Sequence, residues 1–324
     1  MTADQAQPRR PAAHVPLGVV AILILINVLW AASAAAAKIA MGGSAGQPPT
    51  GIGPFTLALF RFAPASALLW AMARVRGEQL SMQREDRLSF VLVGLTGITL
   101  AYAVFYTGVR LTTATETTLL IAGEPVLLTL MAWALLHEPI GRRRQAGLAL
   151  GFAGVYLVIV RGLVPAGGGN VLGNAVVALS LCFECYSGII GKRLTQTYPG
   201  LMVGSIQMAT GSALLVPFAA VELTSHPHLH PTAAAIGGVV YLSVFCSAIC
   251  YGAWYVVMER HPLSSMAPFL FIQPVMAPVF GYWLQGERLH LWTAIGAAFV
   301  MAGVWLVAAS APGAARPEAR KDHG

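Results

Sequence analysis

Ten stretches of about twenty mostly apolar residues follow one another along this chain of 324 residues, with little polar sequence between them. They fall near 15–40, 51–73, 88–109, 112–136, 145–161, 170–191, 200–222, 233–258, 263–285 and 290–309. A helix needs roughly 20 apolar residues to cross about 30 Å of hydrocarbon, and it satisfies its own backbone polar groups on the way. The pattern therefore predicts an all-α integral membrane protein with ten transmembrane helices. Composition agrees: 56% of the residues are hydrophobic and 10% charged, against roughly 25% charged in soluble domains. The longest polar segments are the N-terminal tail, 74–87, 223–232 and the C-terminal tail, too short for a soluble catalytic or nucleic-acid-binding domain.

The first stretch has a second reading as a signal peptide, because Arg9 and Arg10 precede it and "AASAAAA" ends it. It is longer than the apolar region of a signal peptide, so a retained first helix is expected. With the N-terminus in the cytoplasm, fifteen of the 20 Lys and Arg residues fall on the inner side, and Arg110, Arg161 and Arg288 on the outer. The positive-inside rule then places both termini in the cytoplasm, with the bacterial inner membrane as the expected location. The formal charge of +7 needs no nucleic-acid partner. Cys182, Cys185, Cys246 and Cys250 lie within the spans and read as packing residues rather than as a disulfide framework.

The chain also matches itself. A shift of 149 positions superposes Tyr102 on Tyr251, Tyr106 on Tyr255, Pro125 on Pro274, Glu138 on Glu287 and Gly154 on Gly303. A unit of five spans is odd, so its second copy crosses the membrane in the opposite sense. Inverted repeats of this kind place a substrate site at their interface near the bilayer midplane. The expected units are a cytoplasmic tail at 1–14, repeats at 15–161 and 162–309 around a central cavity, and a second cytoplasmic tail at 310–324.

Four segments, "NVLWAASAAAAKIA", "LALFRFAPASALL", "LLIAGEPVLLTLMAWALLHEPIGRRRQAGLALGFAGVYLV" and "FIQPVMAPVFGYWLQGERLHLWTAIGAAFVMAGVWLV", resemble the EamA-type ten-helix members of the drug/metabolite transporter superfamily. The resemblance implies two inverted five-helix halves, cytoplasmic termini and transport of small metabolites, often amino acids and often outward. It also implies that the fifth and tenth helices pack at the periphery.

Ionisable groups within a span are costly and normally face a partner or a wet cavity. The acidic candidates for substrate binding or proton coupling are Glu116, Glu124 and Glu184. Glu124 precedes Pro125, which removes a backbone donor and kinks the helix; the second repeat has Gln273 before Pro274, so the kink is doubled and the charge is not. Two readings of Glu124 stand open: a ligand in the cavity, or a permanent ion pair with Arg61, which with Lys38 makes the basic pair inside the spans. Glu184 has Trp30 as its repeat counterpart and reads as a cavity carboxylate, either for a substrate amine or for a proton. Glu116, eight residues before Glu124, points within about 80° of it on a helix; a hydrated helix end is the other reading.

Tyr102 and Tyr106 are matched by Tyr251 and Tyr255, with Trp254 between, and could wall a pocket for an apolar or cationic group. Glu138 and Glu287, just before Arg142 and Arg288, read as structural residues paired with nearby basic residues, and "GLALGFAG" as a close helix contact or a homodimer face. His226, His228 and His230 give a weak metal hint. His137 and Glu138 lack the second His of a zinc protease, and no phosphate-cradling loop is present. The expectation is an alternating-access carrier in the lipid bilayer, not an enzyme, without cofactor, exporting amino acids or related amine-bearing compounds. An organic-cation or drug exporter, and a membrane scaffold or receptor, are the alternatives; proton coupling and the choice between monomer and homodimer stay open.

Overall fold

The computed structural model describes residues 16–42, 50–78, 81–121, 123–124, 127, 131, 142–160, 169–225, 229–260, 269–270, 272–287 and 290–308. Every regular element among them is helical. In chain order these are α1 Leu17–Ala31, α2 Ser33–Ala40, α3 Pro54–Val75, α4 Arg87–Gly94, α5 Ala101–Leu111, α6 Ala114–Ile121, α7 Arg142–Val160, α8 Gly169–Leu194, α9 Gly200–Ser225, α10 Ala233–Val240, α11 Cys250–Arg260, α12 Ile272–Gln285 and α13 Leu291–Ala308. Among the described residues six helices are long and apolar enough to cross a membrane: Leu17–Ala40, Pro54–Val75, Arg87–Leu111, Asn170–Gly191, Gly200–Ser225 and Ala233–Val257. Gln145–Leu157 and Leu291–Gly303 are shorter apolar helices. Large side chains stand outward, such as Trp283 at 75% and Trp305 at 65% exposure. An outer surface this apolar suits lipid rather than water.

Three of the apolar stretches are not the uniform α-helices that hydropathy suggests. The first is interrupted at Ala32, between α1 and α2, where the Ala32 N–H turns back to the Leu29 carbonyl at 3.3 Å. The stretch at 88–109 passes through a π-helical segment, Leu95–Leu100, and the one at 233–258 through another, Tyr241–Ile249. The two overlap at the 149-residue offset that separates Tyr102 from Tyr251. A π-helical turn holds one residue more than an α-turn, so it rotates the face that follows. In both places the rotated residues include the paired tyrosines.

The long helices pack as antiparallel partners. Along α3 and α9, Ser205 Oγ donates to the Ser66 carbonyl at 3.3 Å, and Glu222 accepts from the Thr56 N–H at 2.7 Å at the start of α3. Along α5 and α8, Gly108 and Gly173 allow the backbones to approach: a Cβ on Gly173 would lie 2.6 Å from the Leu111 carbonyl carbon. Helices α7 and α13 meet through Gly147, Gly151, Gly154, Gly296 and Gly303, where a Cβ on Gly154 would come within 2.5 Å of the Val300 nitrogen. Close backbone approach is how helices gain dispersion energy where lipid competes equally for apolar side chains. The small-residue face of "GLALGFAG" is therefore occupied inside the chain rather than left for a second copy.

Two polar clamps tie the end of the molecule that carries Lys38. Glu287, just beyond α12, accepts from the Ala114 and Thr115 N–H groups at 2.6 and 3.0 Å, which caps α6, and lies 3.7 Å from Lys38 Nζ. Its partners among the described residues are thus a helix N-terminus and the basic Lys38; Arg288 lies outside the described residues. A carboxylate at that position meets both the orphan N–H groups and the positive end of the helix dipole. The second clamp is Glu116, 1% exposed. It accepts from Thr112 Oγ1 at 2.8 Å, Asn170 Nδ2 at 3.2 Å, Asn174 Nδ2 at 3.1 Å and Thr293 Oγ1 at 3.2 Å. It joins α6 to α8 and α13, and is not a hydrated helix end. At the opposite end, Tyr198 donates to Asp86 Oδ2 at 2.6 Å, and that bond raises the pKa of the phenol.

Gly154→Ala is expected to lower stability by about 1–3 kcal/mol through overpacking, read as a fall in melting temperature in detergent. Gly188→Ala, where a Cβ meets nothing within 4 Å, should leave it unchanged or slightly raised. Glu287→Ala should cost about 1–2 kcal/mol, the range for losing a helix cap, and a melting temperature equal to that of the unaltered protein would rule out the cap as a stabilising element.

Candidate functional site

The interior between α3, α5, α8 and α11 collects the polar groups that the apolar surroundings leave over. Arg61, 3% exposed on α3, donates from Nε to Ser247 Oγ at 2.8 Å and from Nη1 to Tyr106 OH at 2.7 Å. Its guanidinium carbon lies 4.7 Å from the ring centroids of both Phe62 and Tyr102, a cation–π arrangement that offsets lost hydration. Of the two open readings of Glu124, the ion pair with Arg61 is not formed: hydroxyls and ring faces hold the cation. Lys38, the other basic residue within a span, is paired with Glu287 and stands away from this centre.

Tyr102 and Tyr251 meet hydroxyl to hydroxyl at 2.9 Å. Either oxygen can be the donor, so the pair can turn its remaining proton to a neighbour. Tyr106 is fully buried and serves Arg61. Tyr255 donates to Gln207 Oε1 at 3.1 Å, Gln207 Nε2 donates to Ser187 Oγ at 3.2 Å, and Ser187 donates to the Val93 carbonyl at 3.1 Å. This chain of bonds links α11, α9, α8 and α4.

Glu184 stands on the face of α8 that also buries Val177, Ser180, Leu181 and Ser187, so it points inward, yet it keeps partial exposure. Partial exposure on an inward face marks a side chain beside internal space. It makes no hydrogen bond or ion pair with a described residue, while its charge acts on Tyr102, Tyr251 and Arg61. Glu124 feels the Glu184 charge in turn, and its backbone carbonyl lies 3.9 Å from the Cys185 sulfur, which fixes it against the same turn of α8. Pro125 falls outside the described residues; Pro274 lies within α12, the side chain being outside them.

The aromatic wall comes from Trp30. Its ring centroid is 5.3 Å from that of Tyr251 and 5.5 Å from that of Trp254, and its Nε1 donates to the Cys246 carbonyl at 2.9 Å. The break after α1 exposes the Leu29 carbonyl to Tyr241 OH at 2.6 Å and to the Cys246 sulfur at 3.7 Å. Next to it, Gln273 Nε2 donates to Asn27 Oδ1 at 2.9 Å. Asn27, Gln207 and Ser247 were not singled out from the sequence, which was searched for ionisable and aromatic residues. An uncharged amide within an apolar span was the signal available for Asn27 and Gln207. A serine carries almost none, because its hydroxyl can bond to its own helix.

His226, His228 and Glu138 fall outside the described residues, and among the described ones no group of three or more His, Cys, Asp or Glu could hold a metal ion. The arrangement offers two carboxylates, one guanidinium, a coupled tyrosine pair and aromatic faces. Chemically, such groups can bond the polar part of a small molecule and pack against an apolar part.

The profile of the EamA-like transporter family matches residues 17–160 and again 171–309. An uncharacterized transporter of Archaeoglobus fulgidus is 27% identical over 89% of this chain and 96% of its own length. A probable terminal-alkyne amino-acid exporter of Streptantibioticus cattleyicolor is 28% identical over 88% of this chain and 91% of its own. A crystal structure superposes with a TM-score of 0.61 at 20% identity, covering 90% of this chain and 96% of that one; at this identity it speaks for the fold. With both halves of the chain matched and full-length relatives named as transporters, the protein belongs to the EamA-like family of the drug/metabolite transporter superfamily and is a multi-pass membrane transporter.

Proposed function

We propose that the protein is an alternating-access exporter of amino acids or related amine-bearing metabolites, with Glu184 as the carboxylate that meets the substrate amine or exchanges for it with a proton. The observation that carries this reading is an inward carboxylate on α8 without a hydrogen-bond partner among the described residues, whose charge acts on the bonded Tyr102–Tyr251 pair. A carboxylate kept in a membrane interior without a fixed partner has a function by default. Glu124, whose backbone packs against the same turn of α8, is the second acid of the site. Trp30, Tyr251 and Trp254 form the wall for the apolar portion, and Gln273 with Asn27 closes it on one side. The likeness to a probable amino-acid exporter supports the substrate class and direction.

The reading includes ten transmembrane helices in two inverted repeats, 15–161 and 162–309, with tails at 1–14 and 310–324 in the cytoplasm. The doubled family match, the paired π-helical segments and the 149-residue spacing of the bonded tyrosines support it. Rocking of one repeat against the other would open the site alternately to each side. An organic-cation exporter is the second reading, favoured by two carboxylates beside aromatic faces.

In proteoliposomes Glu184→Gln is expected to abolish transport, or its pH dependence, while the melting temperature stays within a few degrees of the unaltered protein. Unchanged transport at every pH would remove Glu184 from the mechanism. For topology, an impermeant maleimide should label His290→Cys in intact cells and Gln196→Cys only after lysis; the reverse order would invert the proposed orientation.

A further inference from the structure

Arg61 is held with care that the fold alone does not require. A guanidinium has five N–H donors in a planar fork. Here Nε and Nη1 are fixed by Ser247 and Tyr106, two ring faces flank the plane, and Nη2 donates no hydrogen bond to a described residue. Among the described residues no carboxylate lies within ion-pair distance of it; the ion pairs are Lys38–Glu287 and Arg76–Glu78. A buried cation with neutral partners and unused donors is matched to an anion that comes and goes. The Glu184 charge acts on Arg61 across the interior without touching it. Both charges also act on Tyr102 and Tyr251.

We propose that this site is specific for a zwitterion: the carboxylate of an α-amino acid pairs with the free edge of Arg61, while its ammonium group meets Glu184. The amine half of this assignment rests on the function proposed above; the carboxylate half is independent of it. A zwitterion brings no net charge into the interior and satisfies both poles together. A simple amine satisfies Glu184 and leaves the Arg61 edge without a partner, and an amide replaces the carboxylate with a neutral acceptor. A site built to bond a charged group discriminates against the analogue that lacks it. Ser247, on the π-helical segment, and Tyr106 are positioning residues, since they aim the guanidinium.

The test uses the full chain in detergent and reads binding by calorimetry and thermal shift, because a ligand of the folded state raises apparent stability by mass action. The probes share a side chain: L-phenylalanine, L-phenylalaninamide and 2-phenylethylamine, then L-leucine and 3-methylbutylamine. The amino acids are expected to bind about ten- to a hundredfold more tightly than their amines, the range for one charge-assisted hydrogen-bonded contact. Arg61→Lys should bring that ratio towards one. Ser247→Ala, which removes one bond and keeps the charge, should narrow it partially. Should Arg61→Lys fail to fold, the probe series on the unaltered protein and on Ser247→Ala still reads the ratio. Equal binding of amino acid and amine overturns the role of Arg61 and leaves Glu184 standing. Unaltered amine binding in Glu184→Gln, with the carboxylate preference kept, overturns the amine assignment instead. No binding of any probe overturns both.

Discussion

The housing of one guanidinium in the middle of a membrane protein is the constraint around which the interior is organised. An arginine at that depth is costly unless hydrogen-bonded and shielded, and Arg61 recruits its shield from several elements. Phe62 comes from its own helix, Tyr102 and Tyr106 from α5, and Ser247 from the second π-helical segment. Each of these contributes to the position of something else. Tyr102 carries the bond to Tyr251, Tyr251 stacks edgewise on Trp30, and Trp30 bonds the carbonyl of Cys246, next to Ser247. The site is thus closed on itself, and a shift of one helix is felt by the others.

The carboxylates divide by how fully they are satisfied. Glu116 accepts four side-chain hydrogen bonds, and Glu287 caps a helix and faces Lys38. Both hold one end of the molecule together. Among the described residues Glu184 has no such partners; its charge acts on the tyrosine pair, on Arg61 and on Glu124. In a medium where an unpaired charge is expensive, that difference sets Glu184 apart from the two acids that hold the fold together.

The helical membrane architecture was legible in the sequence because it depends on local length and apolarity, and the family because two segments repeat a proline, a glutamate and a glycine-rich helix at one spacing. The pairing of Tyr102 with Tyr251 was legible as a symmetry. The partner of Arg61 was not. Opposite charges within spans suggested Glu124 as one reading, whereas hydroxyls and rings took the cation, because the order of residues does not say which helix faces bring Ser247 and Tyr106 to Arg61. Glu116 was read as lining or hydrated for a similar reason: its asparagines lie on α8, and nothing in the order of residues says that α8 begins beside α6. The π-helical turns were invisible because hydropathy counts apolar residues and is blind to one extra residue in a turn.

The sequence by itself determined what the chain must do with its backbone and its apolar surface, because each span satisfies its own peptide groups and meets lipid on its own account. It also determined which few residues would be expensive to bury. Tertiary structure alone decided which of those acids are quenched and which is left open, and that Arg61 faces the interior with donors to spare. Such outcomes depend on which helices become neighbours and how each is rotated. Close glycine contacts and two π-helical turns set both, and a rotation of one residue is enough to turn a side chain from a partner to a cavity.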